Sequence, residues 1–418
     1  MKFGKLLLGF ASAVTATATA FAGGGLFAPI SIDSAAVMPK GIRNLRVGGF
    51  TTEVGQKYDG TGTVVPTANA FNRAVTWNEL ISSRSDASER GLLKGGLEAE
   101  GVDLGSSVGD AQGLVNARVT STIPVLAYGI SEKVTFGAGL PIIYSRTHVD
   151  TGWVANAAFQ KRIEQLQNSG YEPKILSFKQ ALQNVIATKI SSYGYQPLQD
   201  ETHTDVGDLN LGLKEQLYKD ERVAFALAQK IVVPTGRTAD LDKVVDLAPG
   251  DGHFNFGVSA VADIYAAKKW TVTPSASYLY QLETSQAVRV PRIGTESISP
   301  DIDRDVRVKR GDIMATALAV KFQATELLTA STAYSLQYKN PDSYMGGRYQ
   351  PARYGFLERD TWQNMQTVQL AFTGSTIPLF KKQQFPVPLD ATIALARVFD
   401  GRNVSLLNVA VFELAAYF

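Results

Sequence analysis

The side chains best suited to metal binding or proton transfer are three histidines, His148, His203 and His253. Each has an aspartate two positions away: Asp150, Asp205 and Asp251. A metal centre needs several such ligands converging at fixed distances. Here the pairs are scattered through polar segments, although His148 and His203 bracket one long loop and are candidates for neighbours. A serine hydrolase needs a base within hydrogen-bond reach of its nucleophile, and no local motif supplies one. Gly91-Leu92-Leu93-Lys94-Gly95-Gly96 has neither the spacing nor the closing hydroxyl of a phosphate loop. Pro249-Gly250-Asp251-Gly252 has no remainder of a calcium loop. Both read as turns. The chemistry-bearing residues therefore point to no enzyme, no metal and no cofactor, and the elements around them carry the argument.

Those elements have a two-residue beat. Reading back from the end, Phe418, Ala416, Leu414, Phe412 and Ala410 share one face. An amphipathic last strand closed by an aromatic resembles the insertion signal of bacterial outer-membrane barrels. The clearest internal strand is Val134, Phe136, Ala138, Leu140, Ile142 and Tyr144, interleaved with Lys133, Thr135, Gly137 and Gly139. Before it, Val115, Ala117, Val119, Ser121 and Ile123 alternate with Asn116, Arg118, Thr120 and Thr122. Only alternation suits a wall with lipid on one side and a lumen on the other. Further strands fall at about 42–54, 206–218, 222–234, 253–266, 270–283, 312–324, 327–339, 361–379, 389–400 and 403–418. Short connections alternate with long ones at 55–111, 147–205, 235–252, 284–311 and 340–360. Asp400-Gly401 is the exception, a tight hairpin where a long loop is due. The expected fold is all-β, a transmembrane antiparallel up-and-down barrel of about twelve strands. Fourteen strands result if Thr63–Pro66 pairs with Phe71–Leu80.

The other end of the chain fits export. Lys2 and Lys5 precede an apolar stretch from Leu6 to about Ala18, then Ala20-Phe21-Ala22. These are the parts of a signal peptide cleaved after Ala22. Removing residues 1–22 takes the formal charge from +2 to zero, which leaves no electrostatic case for nucleic acid. The 418 residues include no cysteine, so an exported chain must close its structure without disulfides. No later run is long and apolar enough for a spanning helix. Location in the outer membrane of a Gram-negative bacterium follows, with outer-membrane lipid and the barrel-assembly machinery as partners. Tyr144, Trp153, Tyr218, Trp270, Tyr278, Tyr280, Tyr338, Trp362 and Tyr417 cluster at strand ends, where aromatic girdles and ordinary strand preference both place them.

Two segments break the beat. In 155–190, Phe159, Ile163 and Leu166 recur at helical spacing, as do Ile175, Phe178 and Leu182 after Pro173. Asn168-Ser169-Gly170 supports a turn between them. The external loop 147–205 thus carries a helical hairpin whose stripes either pack on each other or form a lid of Phe159, Ile163, Phe178 and Leu182. The segment 23–41 is small and apolar, and is either a plug inside the lumen or a periplasmic leader. The barrel proper is residues 42–418.

The lumen faces are read as Asn116, Arg118, Thr120 and Thr122; Asp208, Asn210 and Lys214; Asn255, Ser259 and Asp263; and Thr271, Thr273, Ser275 and Ser277. Ala224, Ala226 and Ala228 make a small nonpolar face. With Lys230, the charged lumen candidates are Arg118, Asp208, Lys214 and Asp263. The charges are sparse and balanced, unlike the opposed ladders of a general porin.

Residues 229–262 read QKIVVPTGRTADLDKVVDLAPGDGHFNFGVSAVA. A strand ending Val233-Pro234-Thr235-Gly236, then Gly250-Asp251-Gly252 and a strand with Phe254, Phe256 and Gly257, resembles outer-membrane proteins of the phenol-degradation MetA-pathway type. These are similar to FadL-like channels for fatty acids and aromatic hydrocarbons. The resemblance implies a fourteen-stranded barrel, an N-terminal plug and a lateral opening at a strand kink. The chain departs from it in having no Asn-Pro-Ala in its N-terminal segment. Pro274 and Gly257 interrupt strands and mark either that kink or simple curvature. The expected function is passive uptake of small hydrophobic or aromatic ligands. A diffusion porin for polar solutes and a surface-structural barrel acting through its loops are the alternatives.

Overall fold

The structure is a computed structural model that describes residues 33–69, 72–82, 86–168, 187, 190–294, 296 and 298–418. The leader, its cleavage site and most of the second half of the helical loop lie outside the described residues. Twelve antiparallel staves form one wall. They are β1 (Arg43–Val54), β2 (Ser107–Ser131), β3 (Val134–Gly139, resuming as Ile142–Ala155), β4 (Glu201–Val206, resuming as Leu209–Lys219), β5 (Val223–Val233), β6 (Asn255–Ala267), β7 (Trp270–Gln281), β8 (Ile313–Gln323), β9 (Leu328–Lys339), β10 (Gln363–Ser375), β11 (Leu389–Arg402) and β12 (Asn408–Tyr417). Chain neighbours pair throughout. The cylinder closes because β1 pairs with β12 (Asn44 opposite Tyr417) and also with β2 (Arg43 opposite Tyr128). The break in β3 falls at Pro141, which has no N–H to donate to a ladder. The Pro141 carbonyl instead accepts from the Gly207 N–H at the matching break in β4 (2.8 Å).

The alternation has the physical cause expected of it. Leu45, Val47, Leu126, Phe136, Leu213, Ile393, Leu395, Phe412, Leu414 and Phe418 are exposed on the outer face. Their inward neighbours are buried and mostly small, such as Ala224, Ala226, Ala333, Ala371, Ala394 and Ala396. A barrel of this size leaves little lumen, so small side chains line it. No helix among the described residues is long and apolar enough to cross a membrane. Tyr218, Trp270, Tyr278, Tyr280 and Tyr338 are exposed near stave ends, and Tyr144 is exposed midway along β3. Tyr417 instead faces inward and donates to Asp390 (2.8 Å), and Trp153 packs in a loop core.

The fourteen-strand option fails. Val64–Pro66 pairs with Gln56–Tyr58, which also pairs with Val404–Ser405, in a separate small sheet. Trp77–Ser82 is helix α1. The glycine-rich run read as a turn lies within helix α2 (Ala87–Ala99), capped by Asp86 accepting from the Ser88 N–H. Lys94 pairs with Glu98 one turn on (3.9 Å), and the run is glycine-tolerant because that helix face meets no neighbour at Gly91, Gly95 or Gly96. Loop 147–205 carries helix α3 (Ala157–Asn168). Loops 284–311 and 340–360 together form a three-stranded sheet of Thr284–Val290, Asp301–Lys309 and Ser343–Gly346. Helix α4 (Pro351–Glu358) packs on it through Tyr354 and Leu357. Helix α5 (Ile377–Lys381) makes the turn from β10 to β11.

The β7–β8 register runs through Pro274 and the β6–β7 register through Gly257 without a shift, but β6–β7 pairing lapses between Val261–Ser275 and Ile264–Val272, beside Pro274. Shifts in the wall lie at Gly129/Ser131, Phe225/Ala226, Ile264/Ala267 and Gln366/Thr367. A close approach does require glycine at Gly49, beneath the Phe412 ring. A Cβ there would sit 2.2 Å from the Ser121 carbonyl oxygen and 2.7 Å from Phe412 Cζ. Gly49→Val should therefore cost about 1–3 kcal/mol and lower the temperature at which the barrel loses its compact mobility on gels. Thr51→Val, on the same outer face, is expected to leave that temperature unchanged.

Candidate functional site

The lumen has a polar, chain-filled periplasmic half and, in its outer half, an apolar sector on one side of the wall. In the periplasmic half, inward residues of β3, β4, β6 and β8 hold residues 33–38. Lys214 Nζ donates to Asp33 Oδ1 (2.9 Å) and also to the Ser34 carbonyl. Asp263 accepts from the Ser34 hydroxyl (2.7 Å) and the Ala35 N–H (2.9 Å) through one oxygen, and from Thr273 (2.6 Å) through the other. Gln216 donates to the Ala35 carbonyl (2.8 Å), and Lys321 to that of Asp33 (2.8 Å). Met38 N–H donates to Thr135 (2.8 Å). Ala35 is fully buried against Ala224, Ala226 and Val261. Charges in so narrow a lumen are costly unless paired. Here Lys214, Asp263 and Lys321 are paired by a segment of the same chain, whereas inward Lys230 makes no hydrogen bond or ion pair among the described residues.

The outer half is different. Phe50 and Val54 of β1, Val115, Ala117 and Val119 of β2, Ile143 of β3, Met365 of β10, Ala396 and Val398 of β11, and Val409 and Val411 of β12 are buried and form one apolar cluster. Tyr58, Leu247 and Leu407 join it from the loops above. Apolar residues on the inner side of a membrane barrel repel water from its interior.

This corrects the reading of β2. Arg118, with Asn116, Thr120 and Thr122, lies on the face of Leu126 and Tyr128, which is the outer one. Arg118 pairs there with Glu53. The inward set is Val115, Ala117, Val119 and Ser121. Lys214 and Asp263 face the lumen and meet the N-terminal segment, and Lys230 is on the inner face of β5 between Gly212 and Gly257. Asp208 sits at the break in β4 and accepts from the Gly236 N–H (2.9 Å). It thereby anchors the Val233-Pro234-Thr235-Gly236 bend. Gly236 and Gly250 pack backbone to backbone at the base of that loop, with a Cβ on Gly250 only 2.7 Å from the Gly236 carbonyl oxygen.

The histidines do not converge. His148 is on the outer side of the wall, bonded to Asp200 (2.8 Å). His203 is on the opposite face of the neighbouring stave, opposite buried Ser145, and bonds Glu201 (2.8 Å). His253 is buried against the Leu282 carbonyl (2.9 Å). Of the lid candidates, Phe159 is buried between Trp77 and Trp153, with ring centroids 5.1 Å from each. It is a core residue of a loop domain. Ile163 is on the same helix, and Phe178 and Leu182 lie outside the described residues.

The external loops are tied together over the barrel by residues that no local pattern marks. Arg289 donates to the carbonyls of Leu241 (2.5 Å), Tyr193 (2.7 Å) and Gly194 (3.1 Å), and to Asp242 (2.9 Å). Its guanidinium also stacks 3.8 Å from the Tyr195 ring. Arg237 holds Asp246 through two bonds (2.5 and 3.0 Å) and reaches Asp205 (3.2 Å). That clamp sets the neighbouring Leu247 into the apolar cluster.

With this geometry in place, comparison with known proteins gives the class. No family model matches the chain, and no curated protein matches it. The fold is shared with an outer membrane channel from Pseudomonas putida F1, at a TM-score of 0.53 and 10% identity, covering 93% of this chain and 100% of that one. Weaker likenesses are the translocator domain of the autotransporter NalP from Neisseria meningitidis (TM-score 0.39, 8% identity, 98% and 97% covered) and a FadL homologue from Pseudomonas aeruginosa (0.35, 11%, 94% and 95%). The chain is an outer-membrane type of transmembrane β-barrel with twelve staves, two fewer than the FadL resemblance implies.

The Arg237 clamp gives a pH prediction. Burial alone raises the Asp246 carboxyl, but the Arg237 bonds and the Asp240 N–H outweigh it and hold it below the ordinary aspartate range. A depressed folded-state value means that the stabilisation is present above the ordinary aspartate range and is lost as pH falls through the lowered value. Hydrogen exchange across 235–252 should stay slow at pH 5 and accelerate only in stronger acid. Arg237→Ala should give fast exchange at pH 7 while the staves remain protected.

Proposed function

We propose that this barrel conducts small hydrophobic or aromatic compounds passively across the outer membrane of a Gram-negative bacterium. The observation that carries the reading is the apolar sector of the outer half of the lumen, which runs over six adjoining staves, β10 to β12 and β1 to β3. Polar solutes passing over that sector would lose hydration for few partners, chiefly Thr367 and Gln369, whereas apolar solutes gain by burial. Residues 33–38, as part of the 23–41 segment, serve as a plug across the periplasmic half. A substrate leaving that way must displace or bypass the Lys214–Asp33 and Asp263–Ser34 contacts. The lipid-facing Phe412, Leu414 and Phe418 serve as the signal read by the barrel-assembly machinery. The diffusion-porin alternative is disfavoured by the same lining, because it needs opposed charges around a wet constriction.

Uptake of a radiolabelled neutral aromatic into proteoliposomes tests the reading. Val119→Asp and Val411→Asp place a carboxylate on the apolar lining and should each reduce uptake by about tenfold or more, given the cost of an unpaired charge there. Ile393→Thr on the outer face is the control and should leave uptake unchanged. Equal uptake by all variants, or rapid entry of a disaccharide into liposomes carrying the unaltered protein, would refute it.

A further inference from the structure

The outer wall carries a groove of about 740 Å³ that conduction through the lumen does not use. Its apolar surface is Val368, Leu370, Leu395 and Ala410, all on the lipid-facing side of β10, β11 and β12. Its polar rim is Thr51, Glu53, Arg118, Arg397 and Asn408. These residues belong to adjoining ladders. Val368 is opposite Arg397, Arg397 opposite Asn408, Glu53 opposite Arg118, and Arg118 opposite Arg146 on β3. Three arginines thus lie along one belt of the exterior with two carboxylates, Glu53 on Arg118 and Asp200 near Arg146. Arg118 pairs with Glu53. Among the described residues neither Arg397 nor Arg146 makes a hydrogen bond or ion pair.

The height of the belt identifies what it meets. Arg397 is eight residues above the periplasmic start of β11, and Glu53 is ten above that of β1. At roughly 2.5 Å of height per tilted residue this is about 20–25 Å, the outer edge of the apolar band. Tyr144, two positions before Arg146, and Phe399, two beyond Arg397, are exposed beside the belt as interfacial aromatics. A guanidinium at that level is disfavoured against acyl chains and favoured against phosphate, which its planar fork grips through two parallel bonds. We propose that this groove binds a phosphorylated glycolipid of the outer leaflet, with an acyl chain along Leu370 and Leu395 and phosphates on Arg397 and Arg118. Asn408 and Thr51 are placed to bond its sugar or amide groups, and Glu53 fixes the Arg118 fork. The inference rests on the outer-membrane reading, and it is independent of the cargo.

The test is native mass spectrometry of the purified full chain in mild detergent, titrated with bis-phosphorylated lipid A, fully dephosphorylated lipid A, phosphatidylethanolamine and inorganic phosphate. The expected result is selective retention of the bis-phosphorylated form. Arg118→Gln with Arg397→Gln should weaken it about tenfold or more, and Arg118→Lys with Arg397→Lys, which keeps the charge and loses the fork, should restore only part of it. Thr51→Trp, which fills the groove without touching a charge, should weaken it too and serves if the glutamine pair fails to fold. Equal retention of phosphorylated and dephosphorylated lipid would overturn the proposal. So would unchanged retention in the folded glutamine and tryptophan variants, or displacement of the lipid by millimolar inorganic phosphate. Aromatic uptake by the same variants should be unaltered, so loss of the lipid site and failure of the conduction reading give separate signals.

Discussion

A strand with an unpaired edge cannot sit in hydrocarbon, because each unmet N–H or C=O there costs several kcal/mol. The pairing of β1 with both β12 and β2 removes the last edge. That closure at twelve staves fixes the rest of the molecule. The circumference sets a narrow bore, the bore admits mostly small inward side chains, and the few charges inside must find partners at short range. Lys214, Asp263 and Lys321 find theirs on residues 33–35. The plug contacts and the barrel size are thus two sides of one constraint.

Along β10 to β12 and β1 to β3 the outer half of the lumen meets the same constraint by having almost no inward charge. Val115, Ala117, Val119, Val409 and Val411 need no partners, and Phe50 and Met365 fill space that water would otherwise occupy. Loops above it are held by Arg289 and Arg237, each of which satisfies carbonyls or carboxylates from segments far apart in sequence. The barrel therefore presents an apolar sector under a tied cap, with a polar, chain-filled section beneath.

The staves were legible because lipid outside and packing inside impose a two-residue period. The expected 312–324 and 327–339 are observed as Ile313–Gln323 and Leu328–Lys339. The facing of β2 was not legible, because its inner residues are as greasy as lipid contacts and its outer ones include Arg118. Hydropathy alone inverts when a lumen is apolar. Helix α2 was hidden by its three glycines, and the cap sheet by pairing that joins Asp301–Lys309 to Ser343–Gly346 across the whole of β8 and β9. The lumen partners of Asp263 were hidden for the same reason, since Ser34 is 229 residues away.

Photolabelling is the most direct test of an apolar conduit. A small aromatic diazirine is activated on the reconstituted barrel, with and without excess neutral aromatic competitor, and the labelled residues are read by mass spectrometry. The account predicts labels on Val119, Met365 and Val411 that the competitor suppresses, beside labels on Ile393 and Leu395 that it does not. Labels confined to the lipid face, indifferent to competitor, would contradict it.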